Sequence, residues 1–180
     1  MALRRLFIAV ALTDDALHAL ASLLDGVAIP GRAVAPSNWH ITLRFIGDTD
    51  DVTGDRLTAA LDGADLGESF LIRWGGLGAF PRPTRATVLW VGLEEGAEPL
   101  LRLAEAVEAA VTAAGVPSED RPVHPHLTLA RIRPGEDVSS LVGSVAALDV
   151  RMQVERVSLF QSHLGRGGAR YEVVESFALR

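Results

Sequence analysis

The chain has no cysteine, and all 17 of its basic residues are arginine, with no lysine anywhere. The first absence excludes a disulfide framework and thiolate chemistry and suits a reducing compartment, so a cytoplasmic location is expected. The second excludes a Schiff-base lysine, the lysine of a phosphate-binding P-loop and the lysyl-nucleotidyl intermediate of ATP-dependent ligases. Neither a glycine-rich dinucleotide signature nor a His-Glu-x-x-His zinc signature is present. No apolar run nears the roughly 20 residues that cross a bilayer. Leu6–Leu12 follows Arg4-Arg5 but meets Asp14-Asp15 at once, with no small-residue cleavage site, which is the pattern of a first strand and not of a secretion signal. The formal net charge of −6 argues against coating duplex nucleic acid, which depends on neutralising many phosphates. Locally the sign differs. Arg121–Arg133 holds three arginines and no acid, and Gln161–Arg170 holds Arg166 and Arg170, also without an acid.

What the chain does contain is one short phrase said twice. Trp39-His40-Ile41-Thr42-Leu43-Arg44 returns as Pro125-His126-Leu127-Thr128-Leu129-Ala130-Arg131, with the histidines 86 positions apart. Both phrases are rich in β-branched and apolar residues and follow prolines and turn formers, so both read as strands. Side chains alternate along a strand, which puts His40 with Thr42 on one face and Ile41 with Leu43 on the other; His126 and Thr128 pair likewise. Strict alternation sends Arg44 to the His40 face and Phe45 to the core. It also sends Arg131 away from His126, unless the second strand ends or bulges near Ala130.

The elements around the phrases repeat as well. Strand Leu6–Leu12, helix Asp14–Asp25 capped by Thr13, strand Trp39–Ile46, helix Asp51–Asp62 and strand Phe70–Phe80 broken at Gly75-Gly76 make the first set. After the turn Pro81–Thr84 come strand Ala86–Leu93, helix Glu98–Gly115, strand Pro125–Ile132, helix Val138–Leu148 and one long strand Met152–Leu164. Tyr171–Leu179 then pairs back across Gly165-Arg166-Gly167-Gly168. At 180 residues and 48% hydrophobic content the expected fold is α+β. It is a single domain over 1–180 of two pseudo-symmetric lobes, about 1–83 and 84–180. Each lobe is an antiparallel sheet with two helices, and the cleft lies between them. Because the duplication supplies a paired site within one chain, a monomer is expected.

Two imidazoles and two hydroxyls across a cleft suit acid–base chemistry at phosphorus, since histidine titrates near neutral pH and one ring can give a proton while the other takes one. The threonine hydroxyls and Arg131 would donate to the charged phosphate oxygens. Either histidine alone reads as a structural strand residue; the repetition in register favours function.

With these residues in view, the chain resembles the RNA 2′,3′-cyclic phosphodiesterases, formerly called 2′-5′ RNA ligases, of the 2H phosphoesterase superfamily. The resemblance rests on the paired His-x-Thr motifs, on His-Ile-Thr-Leu-Arg-Phe-Ile-Gly and Pro-His-Leu-Thr-Leu-Ala-Arg, and on the Arg-Leu-Phe-Ile-Ala and Leu-Phe-Gln-Ser stretches near the two ends. It implies hydrolysis of RNA 2′,3′-cyclic phosphate ends to 2′-phosphomonoesters without metal or other cofactor. It assigns His40 as proton donor, His126 as proton acceptor, and Thr42, Thr128 and Arg131 as substrate-binding residues. Reversible 2′-5′ ligation would be the same transesterification run backwards, which needs no ATP. The expected partner is an RNA bearing a cyclic phosphate end, and no membrane. The alternative is an RNA-end or nucleotide binder that keeps the fold without catalysis.

Other side chains compete for roles. His124 joins both motif histidines in a conceivable zinc set, but no carboxylate or cysteine pattern completes it. His163 and His18 read as solvated residues. Trp39 and Trp90 are candidates for base stacking, and Arg82, Arg85, Arg166 and Arg170 for a basic rim.

Overall fold

The computed structural model describes residues 3–165 and 168–180; the expectation for Arg166 lies outside them. Nine strands form one antiparallel sheet: β1 (Arg4–Ala11), β2 (Arg32–Ala33), β3 (His40–Thr49), β4 (Phe70–Phe80), β5 (Ala86–Glu95), β6 (Leu127–Glu136), β7 (Arg151–Val154), β8 (Arg156–Gly165) and β9 (Gly168–Ala178). Four α-helices accompany it among the described residues: α1 (Asp14–Leu24), α2 (Asp51–Asp62), α3 (Ala97–Ala113) and α4 (Ser139–Ser144). The caps are local chemistry. The Thr13 hydroxyl accepts the Ala16 N–H at 3.3 Å and the Asp50 carboxylate that of Thr53 at 2.7 Å.

The sheet order is β7-β4-β5-β6-β3-β1-β8-β9, with β2 beside β6. Outward from the β6/β3 contact the order mirrors itself. Each motif strand is flanked by the first strand of its own half, and then by a strand from the other half. Strand pairing therefore does not follow the chain's midpoint at 83/84: β4 joins β5, while β8 joins β1 and carries β9 on its outer edge. The two motif strands meet at one register pair, Ile41 with Leu127, both fully buried. They then diverge, and β6 takes β2 as its further neighbour.

One face of the sheet, with Ile8, Ile41, Leu89 and Leu127, packs beneath the helices, which add Leu20, Leu57, Leu61, Leu103 and Val107 to a single core. The opposite face of β1 carries Phe7 and Ala9, which cluster with Phe160 and Tyr171. Both faces of β1 are thus apolar, which is why its sequence runs without alternation.

Two expected elements differ. Met152–Leu164 is not one strand: β7 pairs with β4 and β8 with β1, at opposite ends of the sheet. Buried Met152 and Val154 are followed by two exposed charges, Glu155-Arg156, before Val157 is buried again, so the alternation breaks phase at the crossing. The helix expected over Val138–Leu148 spans only Ser139–Ser144. Its serines and Gly143 favour helix weakly, and the following backbone is drawn to β4, with Leu148 N–H bonded to Gly75 O at 3.1 Å and Asp149 N–H to Trp74 O at 3.2 Å. The Gly75-Gly76 break is a bulge inside a continuous β4.

Candidate active site

A cleft of about 710 Å³ opens where β3 and β6 diverge, and His40, Thr42, His126, Thr128 and Arg131 all line it. His40 is the first residue of β3 and His126 immediately precedes β6. Each ring is held the same way. Nδ1 of His40 donates to the Asn38 carbonyl at 2.7 Å, and Nδ1 of His126 to the His124 carbonyl at 2.6 Å. A carbonyl only accepts, so Nδ1 carries the proton in both and Nε2 is left as the nitrogen that gains or loses one. Nε2 of His40 lies 2.9 Å from the Thr42 hydroxyl; Nε2 of His126 has no hydrogen-bond partner among the described residues.

Aromatic rings fix both imidazoles. Phe7 is centred 4.9 Å from His40 and Tyr171 meets it edge-on at 5.2 Å. Phe80 meets His126 edge-on at 5.0 Å, with Trp90 at 6.1 Å. Burial lowers the pKa of His40 below its ordinary value, and the nearby positive charges of His126 and Arg131 lower it further against the opposing bond to Asn38. His126 is lowered by burial too, with His124 and Arg131 adding to the effect and its own backbone bond to His124 opposing it. An empty cleft therefore favours two neutral rings, and a bound phosphate would pull either towards the charged form.

Arg131 reaches the cleft because β6 bulges. Ala130 registers with Leu89 and Thr128 with Trp90, so Leu129 is the extra residue, and its carbonyl accepts the Val34 N–H at 2.7 Å. The same bulge occurs at Leu43 in β3, between Ile8/Arg44 and Ala9/Thr42. It reverses two expectations. Phe45 is not core: it stands 60% exposed in the cleft, 6.0 Å from Phe7. Arg44 does not face the cleft. It is buried, with Nε on Glu108 at 2.6 Å, Nη1 on the Phe45 carbonyl at 2.6 Å and Nη2 on the Pro117 carbonyl at 2.5 Å.

The cleft also takes in Arg5, Asn38, Arg121, Ser162 and Tyr171. Arg5, Ser162 and Tyr171 sit on strands brought to the cleft by pairing, which their neighbouring residues do not announce, whereas Arg121 belongs to the acid-free arginine stretch Arg121–Arg133. His124 stacks edge-on against Phe80 at 5.2 Å and Trp90 at 5.1 Å. Trp90 is half-buried behind His126, while Trp39 is buried and donates to the Val34 carbonyl at 3.1 Å. His163 bonds Glu172 at 2.9 Å and His18 the Asp14 carbonyl at 2.7 Å; neither lines the cleft, nor do Arg82, Arg85 or Arg170. Among the described residues no carboxylate lines the cleft, so an acidic protein presents arginines and histidines at this one opening.

Comparison with known proteins points the same way. The family model of the 2′-5′ RNA ligase superfamily matches residues 30–166. The RNA 2′,3′-cyclic phosphodiesterase of Aeropyrum pernix is 38% identical over 162 residues, covering 86% of this chain and 92% of that protein. The Bacillus subtilis protein of the same name is 36% identical over 81% of this chain and 79% of its own length. Among solved structures, TT0787 of Thermus thermophilus superposes with a TM-score of 0.79 at 30% identity over 98% of both chains. Escherichia coli LigT complexed with 3′-AMP does so at 0.83 and 24% identity over 98% of both, a likeness of fold. By the match to its family model and by these relatives, the chain belongs to the 2′-5′ RNA ligase superfamily.

Proposed function

We propose that this chain hydrolyses the 2′,3′-cyclic phosphate at an RNA end to a 2′-phosphomonoester, using its own side chains and no metal. The observation that carries the reading is the cleft itself: two imidazoles with Nδ1 pinned to carbonyls, two hydroxyls and an arginine line one space that has no carboxylate among the described residues. The names of the relatives support the substrate class.

In this reading His126 Nε2 takes a proton from water as the water oxygen bonds to phosphorus. The P–O3′ bond breaks, and O3′ receives the proton carried by His40 Nε2. Protonated at Nε2, His40 can no longer accept from the Thr42 hydroxyl, which frees the threonine O–H for a phosphate oxygen; Thr128 and Arg131 hold the remaining non-bridging oxygens as charge builds on them. The assignment of acid and base follows the family resemblance, and the unpartnered Nε2 of His126 suits the residue that must meet water. A 5′-hydroxyl in place of water gives the 2′-5′ joining reaction by the same proton transfers.

A 5′-labelled oligonucleotide ending in a 2′,3′-cyclic phosphate is expected to yield a 2′-phosphate product in EDTA. Loss of turnover on chelation with recovery on adding zinc would overturn the metal-free chemistry, and a 3′-phosphate product would overturn the choice of leaving oxygen.

A further inference from the structure

Two cavities share a wall and differ in charge. The cleft is lined by Arg5, Arg121 and Arg131 and by no carboxylate among the described residues. Beyond Phe45 and Phe80 it continues into a groove of about 660 Å³ over α3, where Glu105, Glu108, Glu119 and Asp120 line the walls. Arg44 and Arg121 also reach that groove but are already engaged, Arg44 by Glu108 at 2.6 Å and Arg121 by Glu119 at 3.0 Å. Phosphates are drawn to the first space and repelled by the second.

Arg5 has no part in the chemistry above. It shares its face of β1 with Phe7, whose ring touches His40, and lies two residues further along, about 7 Å at the usual rise of a strand. Ser162, its register partner on β8, lines the cleft beside it. Asp48 registers with it on β3 but makes no ion pair with it, nor does any other carboxylate among the described residues. The half-related strand β5 has nothing comparable: two residues before Val88 stands Ala86, fully buried. The duplication thus leaves one end of the cleft cationic and the other acidic.

We propose that Arg5 and Ser162 form a subsite for the phosphodiester one nucleotide upstream of the cyclic phosphate. The RNA chain then leaves the cleft over β1 and β8 and away from α3, and the end of a chain is preferred to a cyclic mononucleotide. This rests on the phosphodiesterase reading and adds to it the direction of the strand.

The test compares kcat/KM for adenosine 2′,3′-cyclic phosphate and for the dinucleotide ApA ending in the same cyclic phosphate. The wild-type protein should favour the dinucleotide by about fivefold, the size of one solvent-accessible ion pair. Arg5→Gln should bring the ratio near one and flatten the log–log salt dependence for the dinucleotide by about 0.7, the share of one phosphate contact. Arg5→Lys should keep part of the preference. Arg102→Gln, on α3 and paired with Glu98 outside the cleft, should leave the ratio as it was. Equal efficiency on both substrates, an unchanged ratio in Arg5→Gln, or a ratio raised by Glu105→Gln would overturn the subsite alone. Turnover of neither substrate would sink the phosphodiesterase reading and the subsite with it.

Discussion

The two motif strands carry the same tetrad and the same one-residue bulge, yet their surroundings differ. At the position that the bulge swings into the cleft, β6 has Arg131 and β3 has Phe45. At the neighbouring inward position β6 has Ala130, and β3 has Arg44 with its three hydrogen bonds. The segments that lead into the histidines are held by different means. Residues 26–38 are stitched to β6 by backbone, through β2 and the Val34 bond to Leu129. Residues 115–126 are held by the Arg44 guanidinium on the Pro117 carbonyl and by Glu108, which also accepts the Glu119 N–H at 2.9 Å. A duplicated unit keeps what the reacting phosphate needs twice and diverges where the rest of the substrate, or the supporting frame, is asymmetric.

That contrast can be broken or sharpened experimentally. The largest effect belongs to what the strands share: His40→Ala and His126→Ala should each lower kcat by about 10²- to 10⁴-fold while the thermal transition stays cooperative. If one variant turned over nearly as fast as the parent, the paired-histidine reading would be lost. Next is the frame. Arg44→Met removes three charged hydrogen bonds and leaves half-buried Glu108 with the Glu119 N–H but no cation, which should cost about 2 kcal/mol in a denaturant titration. Its effect on kcat should shrink in a His126→Ala background but persist beside His40→Ala. Equal losses in both backgrounds would make Arg44 a general stabiliser. The bulge residues come third. Arg131→Gln should slow turnover roughly 10- to 100-fold as a lost charged hydrogen bond, whereas Phe45→Ala should mainly raise KM, by about tenfold, for substrates that carry a base. A Phe45→Ala protein with unaltered KM would mean the ring is only a wall.

The smallest effect is in pH. In the proposed reaction His40, as the acid, must be protonated in the free protein, and its pKa lies below the ordinary 6.5, chiefly through burial. The alkaline limb of kcat/KM should therefore fall below 6.5, while that of kcat, measured with phosphate bound, should sit higher because a nearby anion favours the imidazolium. Coincident limbs would show that bound phosphate does not reach His40.

Much of this was legible beforehand for local reasons. The helices α1 and α2 begin where Thr13 and Asp50 cap them and run as far as the apolar spacing says they should. The cleft-facing pairs His40/Thr42 and His126/Thr128 follow from alternation across three residues, too short a run for a bulge to upset. Phe45 and Arg44 were misassigned because a bulge is a property of two strands in register, and neither strand's own residues announce it. The split of Met152–Leu164 did leave a trace in Glu155-Arg156, two charges where alternation wanted one.

The amino-acid order alone settled that two imidazole–hydroxyl pairs exist, that each shares a strand face, and that no lysine or cysteine chemistry competes with them. Only tertiary structure decided that the pairs meet through Ile41 and Leu127, that Arg131 and Phe45 turn into the cleft while Arg44 turns out of it, and that Arg5 lies at one end. The reason is range. Caps and alternation are written in neighbouring residues, but register, bulges and strand exchange are chosen by the buried area and hydrogen bonds of the whole sheet.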